Sequence, residues 1–169
     1  GAAQVFASGF LTPGNNQNGP AFGLFAALPN GDVVEFPALT TARVQVIHNA
    51  ADPAAAVVDV YLDGTELLPD FAFRDATAFI DAPAGAPINI GVAPGNSGGV
   101  GDTLVNFVAT LTPGETYVVI ANGVLDPSGF APNPDQRSTG FGLFINATGQ
   151  EASTDPNTVE FSALHGSTD

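Results

Sequence analysis

The run Val44-Gln45-Val46-Ile47-His48, followed after a short connection by Val58-Asp59-Val60-Tyr61-Leu62-Asp63-Gly64-Thr65, decides the fold class. In the first run Val44, Val46 and His48 share one face of an extended chain. In the second, Val58, Val60 and Leu62 alternate with Asp59, Tyr61 and Asp63. A period of two turns one set of side chains to a core and the other to water, which is the pattern of a half-buried strand. Asp63-Gly64, and Asn30-Gly31 within Pro29-Asn30-Gly31-Asp32, are pairs that tolerate the positive φ of tight hairpin turns. Thr112-Pro113-Gly114-Glu115 is a further reversal.

The same chemistry extends outward. Segments 43–48, 57–63, 87–93, 103–111, 116–121, 141–146 and 159–164 are rich in Val, Ile, Phe or Tyr and are expected as strands. The 20 Gly and 14 Pro, about a fifth of the 169 residues, fall as punctuation between them. Most windows long enough for a helix contain a Gly or Pro that costs roughly 1–3 kcal/mol in a helix interior. The residues therefore predict an all-β sandwich.

Internal repetition organises the chain. Ala21-Phe22-Gly23-Leu24-Phe25 returns as Gly140-Phe141-Gly142-Leu143-Phe144, 119 residues later. Ala7-Ser8-Gly9-Phe10-Leu11-Thr12-Pro13 is echoed 114 residues later by Ala121-Asn122-Gly123-Val124-Leu125-Asp126-Pro127. The spacing Val44-x-x-x-His48-x-x-x-Asp52 reappears 117 residues on as Phe161-x-x-x-His165-x-x-x-Asp169. The expectation is one complete unit at 42–160. It is preceded at 1–41 by the final strands of another unit and followed at 161–169 by the first strand of a third, a possible donor strand.

Val44-Gln45-Val46-Ile47-His48-Asn49-Ala50-Ala51-Asp52-Pro53, followed by Val58-Asp59-Val60-Tyr61-Leu62-Asp63-Gly64, resembles the opening of a bacterial secreted tandem-repeat family known as domain of unknown function 4397. Ala82-Pro83-Ala84-Gly85 and Leu111-Thr112-Pro113-Gly114-Glu115-Thr116-Tyr117 are similar to its later turns. The segments 133–141 and 164–169 are similar to its connections between tandem copies. The resemblance implies an immunoglobulin-like or transthyretin-like antiparallel β-sandwich on a cell surface or in a secreted array, here with extra N-terminal strands from a partial second repeat. It brings no catalytic residues. The partial units at both ends depart from the family's usual whole domains.

Charge narrows the partners. Only Arg43, Arg74 and Arg137 oppose 17 acidic residues, for a net charge of −14, so no cationic face exists for phosphate backbones or anionic lipid. Nucleic acid is excluded as a partner. No apolar run is long enough to span a bilayer, and no membrane insertion is expected. The absence of Met leads to the expectation of a chain cut from a longer, secreted precursor. Without Cys, thiolate chemistry is impossible, and the absence of Lys from an acidic surface suits a saline or extracellular setting.

Candidate chemistry is thin. His48 with Asp52, and His165 with Asp169, are ligand or acid–base types, but at strand ends the same pairs serve as turn caps. Asp59, Asp63, Asp70, Asp75 and Asp81, and the loop from Asp126 to Asp135 with Asn133, are oxygen-rich, yet no spacing fits an EF-hand. Gly95-Asn96-Ser97-Gly98-Gly99-Val100-Gly101 lacks the Lys of a phosphate loop and reads as a flexible hairpin loop. Asn146-Ala147-Thr148 is a glycosylation sequon, and Asp102-Thr103-Leu104 has a form modified at Thr in some surface bacteria. No catalytic, cofactor-binding or metal-ligating residue is assigned, and no enzyme activity is expected.

A sandwich cut out of phase leaves unpaired edges and a half-covered apolar face at 1–41. The leading expectation is a non-enzymatic extracellular structural protein that polymerises head-to-tail as a homo-oligomeric surface filament, the strand at 159–165 completing a neighbour. Two alternatives remain. In one, 1–41 folds back onto 42–160 in a monomer. In the other, the chain is a carbohydrate- or ligand-binding adhesin module that takes surface glycans.

Overall fold

Eleven strands form among residues 1–167, the residues described by the computed structural model. The chain divides into two units, Gly1–Leu39 and Thr40–Asp169. The first holds β1 (Gln4–Ser8), β2 (Gly23–Ala27) and β3 (Val33–Glu35) in an antiparallel sheet of order β1-β2-β3.

The second unit is the sandwich. Its strands are β4 (Thr41–His48), β5 (Val57–Leu62), β6 (Thr65–Ala72), β7 (Ile80–Pro83), β8 (Pro87–Pro94), β9 (Val105–Thr110), β10 (Thr116–Asn122) and β11 (Gly142–Asn146). They form two four-stranded sheets, β11-β10-β4-β7 and β6-β5-β8-β9. Ala42, Val44, Tyr117 and Val119 from one sheet pack against Ile88, Ala109 and Leu111 of the other side. A second cluster joins Val58, Val60, Phe71 and Val92, with Val46 touching both. Burying such side chains contributes about 1.5–3 kcal/mol each, and this face-to-face contact holds the sheets together.

The all-β sandwich is as the periodicity predicts, with four differences. The sheets are not wholly antiparallel: β4 runs parallel to β10, from Arg43 opposite Thr116 to His48 opposite Ala121. Parallel neighbours need a long crossover, and the whole course of β5 to β9 separates these two. Next, Asp59 and Tyr61 do not face water, because the loop after β8 folds over them and all of Val58 to Tyr61 is buried. Strands β6 and β7 were also not expected. In β6 the alternation is broken at Pro69 and Asp70, where Asp70 adopts φ 50° and the pairing with β5 shifts register.

The fourth difference concerns 159–164, expected as a strand and observed as irregular chain. Its composition suits a strand, but a ladder needs a partner, and both edges of β10 are already taken by β4 and β11. Val159 and Phe161 stand 88% and 89% exposed. Among the described residues, no helix is long and apolar enough to cross a membrane.

Candidate functional site

The strongest sequence candidate, His48 with Asp52, forms a structural corner. His48 ends β4, is completely buried, and lies against the rings of Phe71 and Phe73. Its Nε2–H donates to the Ala55 carbonyl at 2.7 Å, and Nδ1 accepts from the Ala50 amide at 3.4 Å. A carbonyl can only accept, so this pattern fixes the neutral tautomer. Burial is the main influence on its titration and holds the imidazole below its ordinary 6.5, outweighing Ala55 and Asp75, which favour the cation.

Asp52 caps the 3-10 turn Pro53–Ala55 by accepting from the Ala54 amide at 2.8 Å. Its other oxygen accepts from the Leu125 amide at 2.8 Å, tying the end of β4 to the chain leaving β10. Nothing in the local sequence signals this second bond, since its partner lies 73 residues away. Both residues are buried, and each ring nitrogen of His48 and each carboxylate oxygen of Asp52 is engaged by a backbone group. Its repeat, His165 with Asp169, is only partly visible: Asp169 lies outside the described residues.

The remaining carboxylates are dispersed. Asp59 is buried and accepts from the Asp70 amide at 2.8 Å, the Ser97 amide at 3.1 Å and the Ser97 hydroxyl at 2.6 Å. Burial pushes its carboxyl up, but these donors together hold it below the usual carboxylate range. Asp63 accepts from the Asn89 amide in its turn, and Asp81 meets Arg43 at 3.2 Å on the surface. The Asp75 backbone carbonyl accepts from the His48 amide. Asp126 caps the 3-10 turn Pro127–Gly129, and Asn133 closes the turn that contains Asp135. Among the described residues, no three of His, Asp and Glu converge to hold a metal ion.

The Gly95–Gly101 segment does join adjacent strands, β8 and β9, but is not free: Ser97 is held by Asp59 and Tyr61, and the Gly98 amide by Asp102. In the sequon, Asn146 Oδ1 accepts from the amide and hydroxyl of Thr148 at 3.0 and 2.8 Å.

The feature that stands out is a hairpin built twice. In the sandwich, β10 pairs with β11 from Val118 opposite Asn146 to Asn122 opposite Gly142, and Val124 bridges Gly140 in parallel. In the first unit, β1 pairs with β2 from Gln4 opposite Ala27 to Ser8 opposite Gly23, and Phe10 bridges Ala21 in parallel. Every β1 position lies 114 residues before its counterpart and every β2 position 119, the two spacings of the sequence repeat. The 3-10 turns Pro13–Asn15 and Pro127–Gly129 correspond, and Gly9 and Gly123 share φ 95° and 94°. The copies differ in their surroundings. β10 carries β4 on its second edge and buries Val119 beneath the other sheet, whereas β1 is an edge strand and Val5, the counterpart of Val119, is 63% exposed. Phe22, Leu24 and Val34 are exposed beside it.

Residues 42–140 match the family described as Domain of unknown function (DUF4397), more than half of the 169-residue chain. The chain belongs to this family. No curated protein matches it.

Proposed function

We propose that this chain is a non-enzymatic structural protein of the extracellular surface, which assembles head-to-tail into a filament as an exposed segment of one copy completes the open sheet of the next. The observation that carries the reading is the twice-built hairpin, covered in the sandwich and open in the first unit. An edge strand beside apolar side chains is a template for another chain. The exposed Val159, Phe161 and Leu164 supply a segment of strand composition without a ladder. A heterologous contact of this kind propagates unless it closes into a ring. A surface without Lys or Cys and a net charge of −14 fit an extracellular, saline setting in which repulsion between copies is screened.

Light scattering and negative-stain microscopy of the purified chain test this: fibres are expected, and deletion of 159–169 is expected to leave discrete particles. Fibres that persist after the deletion count against the reading. A glycan array with and without Ca²⁺ reads the alternative, an adhesin module, which predicts binding by the unassembled chain.

A further inference from the structure

The repeat specifies how the open edge is filled, because the contact it needs already exists once in this chain. In the sandwich the partner of β10 is β4, parallel, with Arg43 opposite Thr116 and His48 opposite Ala121. The ladder is framed by the Arg43 amide donating to Glu115 and the Asn49 amide donating to Ala121, at 2.9 and 2.8 Å. The counterpart of β10 is β1, 114 residues earlier, and the sequence counterpart of β4 is 158–165, 117 residues later. Among the described residues, neither counterpart has the ladder neighbour that the originals have: β1 is an edge, and 158–165 is irregular with Val159 and Phe161 almost fully exposed.

We propose that the outer edge of β1 takes up residues 160–165 of a second copy of this chain as a parallel strand, in the register Ala2 opposite Glu160 through Ala7 opposite His165. The inference rests on the assembly reading above and adds the edge, the direction and the register. Alternation then places Phe161, Ala163 and His165 on the side of Val5 and Leu24, as Val44, Val46 and His48 lie on the side of Val119 and Leu143 in the sandwich. Glu160, Ser162 and Leu164 go to the other side, with Phe6 and its stacked partner Phe25, whose ring centroids are 5.6 Å apart. A slip of one residue exchanges the two faces, so the register is a sharp claim.

The 169 residues include no cysteine, so introduced thiols report contacts without background. A chain carrying Val5→Cys is mixed with a differently tagged chain carrying Ala163→Cys and oxidised. A disulfide-linked heterodimer is expected, and the double variant Val5→Cys/Ala163→Cys is expected to give a ladder of covalent oligomers that collapses on reduction. The control Val5→Cys/Ser162→Cys, with its second thiol on the opposite face, is expected to give none. A monomeric band with both thiols consumed shows pairing within one chain and overturns the proposal, as does an equally strong ladder in the control. Light scattering on the same samples separates the two claims. Polymer without the Val5–Ala163 link overturns this register alone, and absence of polymer overturns the assembly reading as well.

Discussion

The hairpins β1–β2 and β10–β11 share register, turn and left-handed glycine, yet one is a surface and the other a core. Val119 is 7% exposed and Val5 63%. The difference teaches that the local fold of this repeat is set within the hairpin, by its turn and its bridge, whereas burial is conferred by what lies outside it: β4 on the second edge and the β6-β5-β8-β9 sheet above the face. The hairpin is thus a part whose energetic weight depends on its cover. Hydrophobic burial contributes roughly 25 cal/mol per Å² of apolar area removed from water, and within its own unit the β10–β11 copy has that contribution from a second sheet while the β1–β2 copy does not.

The largest test replaces the same position in each copy. Val119→Asp puts a carboxylate into the apolar cluster of Val44, Tyr117 and Ile88, and a loss of about 3–5 kcal/mol is expected, enough to unfold a domain of ordinary stability. Val5→Asp is expected to change the stability of the unassembled chain by under about 0.5 kcal/mol, since the side chain is already in water. Denaturant titration measures both. Equal losses at the two sites mean that Val5 is covered in the isolated chain, and the contrast between the copies fails.

A second, smaller effect asks whether the hairpins are alike in what they do share. A Cβ added at Gly123 would overlap the Gly140 carbonyl oxygen, and one at Gly9 that of Ala21. With φ near +95° at both, alanine is strained in conformation as well as in space. Gly123→Ala is expected to cost about 1–3 kcal/mol of global stability. Gly9→Ala is expected to open only the first unit, seen as faster amide exchange in 4–27 with the main unfolding transition unmoved. A shift of that transition by Gly9→Ala means that the two units unfold together.

These contrasts also mark what could be read from the chain alone. The β4 and β5 strands follow from two-residue alternation, which is local, and the matched spacing relates 1–41 to the final strands of the complete unit, whereas the pairing of those strands as hairpins emerges only in the structure. The burial of Asp59 was not legible: it depends on Ser97, 38 residues away, and alternation alone assigns Asp59 to water. The parallel β4–β10 pair was hidden for the same reason, being made by residues from opposite ends of the sandwich. Segment 159–164 shows the converse failure. Its composition asks for a strand, but a strand is a relation between two chains of backbone, and composition names only one of them. In the His48–Asp52 corner, the capping of the following turn by Asp52 was legible from the pair's place at a strand end, while the bond to Leu125 had no local sign.

The smallest expected effect is acid sensitivity confined to the sandwich. His48 is neutral and buried, with its imidazole held below the ordinary 6.5, and the first unit contains no histidine. The unfolded chain therefore binds a proton at His48 that the folded chain refuses, so the stabilising difference is complete above about 6.5 and is lost as pH falls below it. For one such group the slope is at most about 1.4 kcal/mol per pH unit. Asp59 acts in the same direction in a lower window: its carboxyl is held below the ordinary 3.8, so its contribution disappears as pH drops through that range. Thermal melts from pH 7 to 5 are expected to show a falling midpoint that His48→Gln flattens, because glutamine takes up no proton, even though the variant starts lower. Amide exchange corrected for intrinsic pH dependence should meanwhile leave β1 and β2 unchanged over the same range. If the midpoint of the His48→Gln chain falls as steeply as that of the parent, the titrating group lies elsewhere and the corner is not the acid-sensitive element.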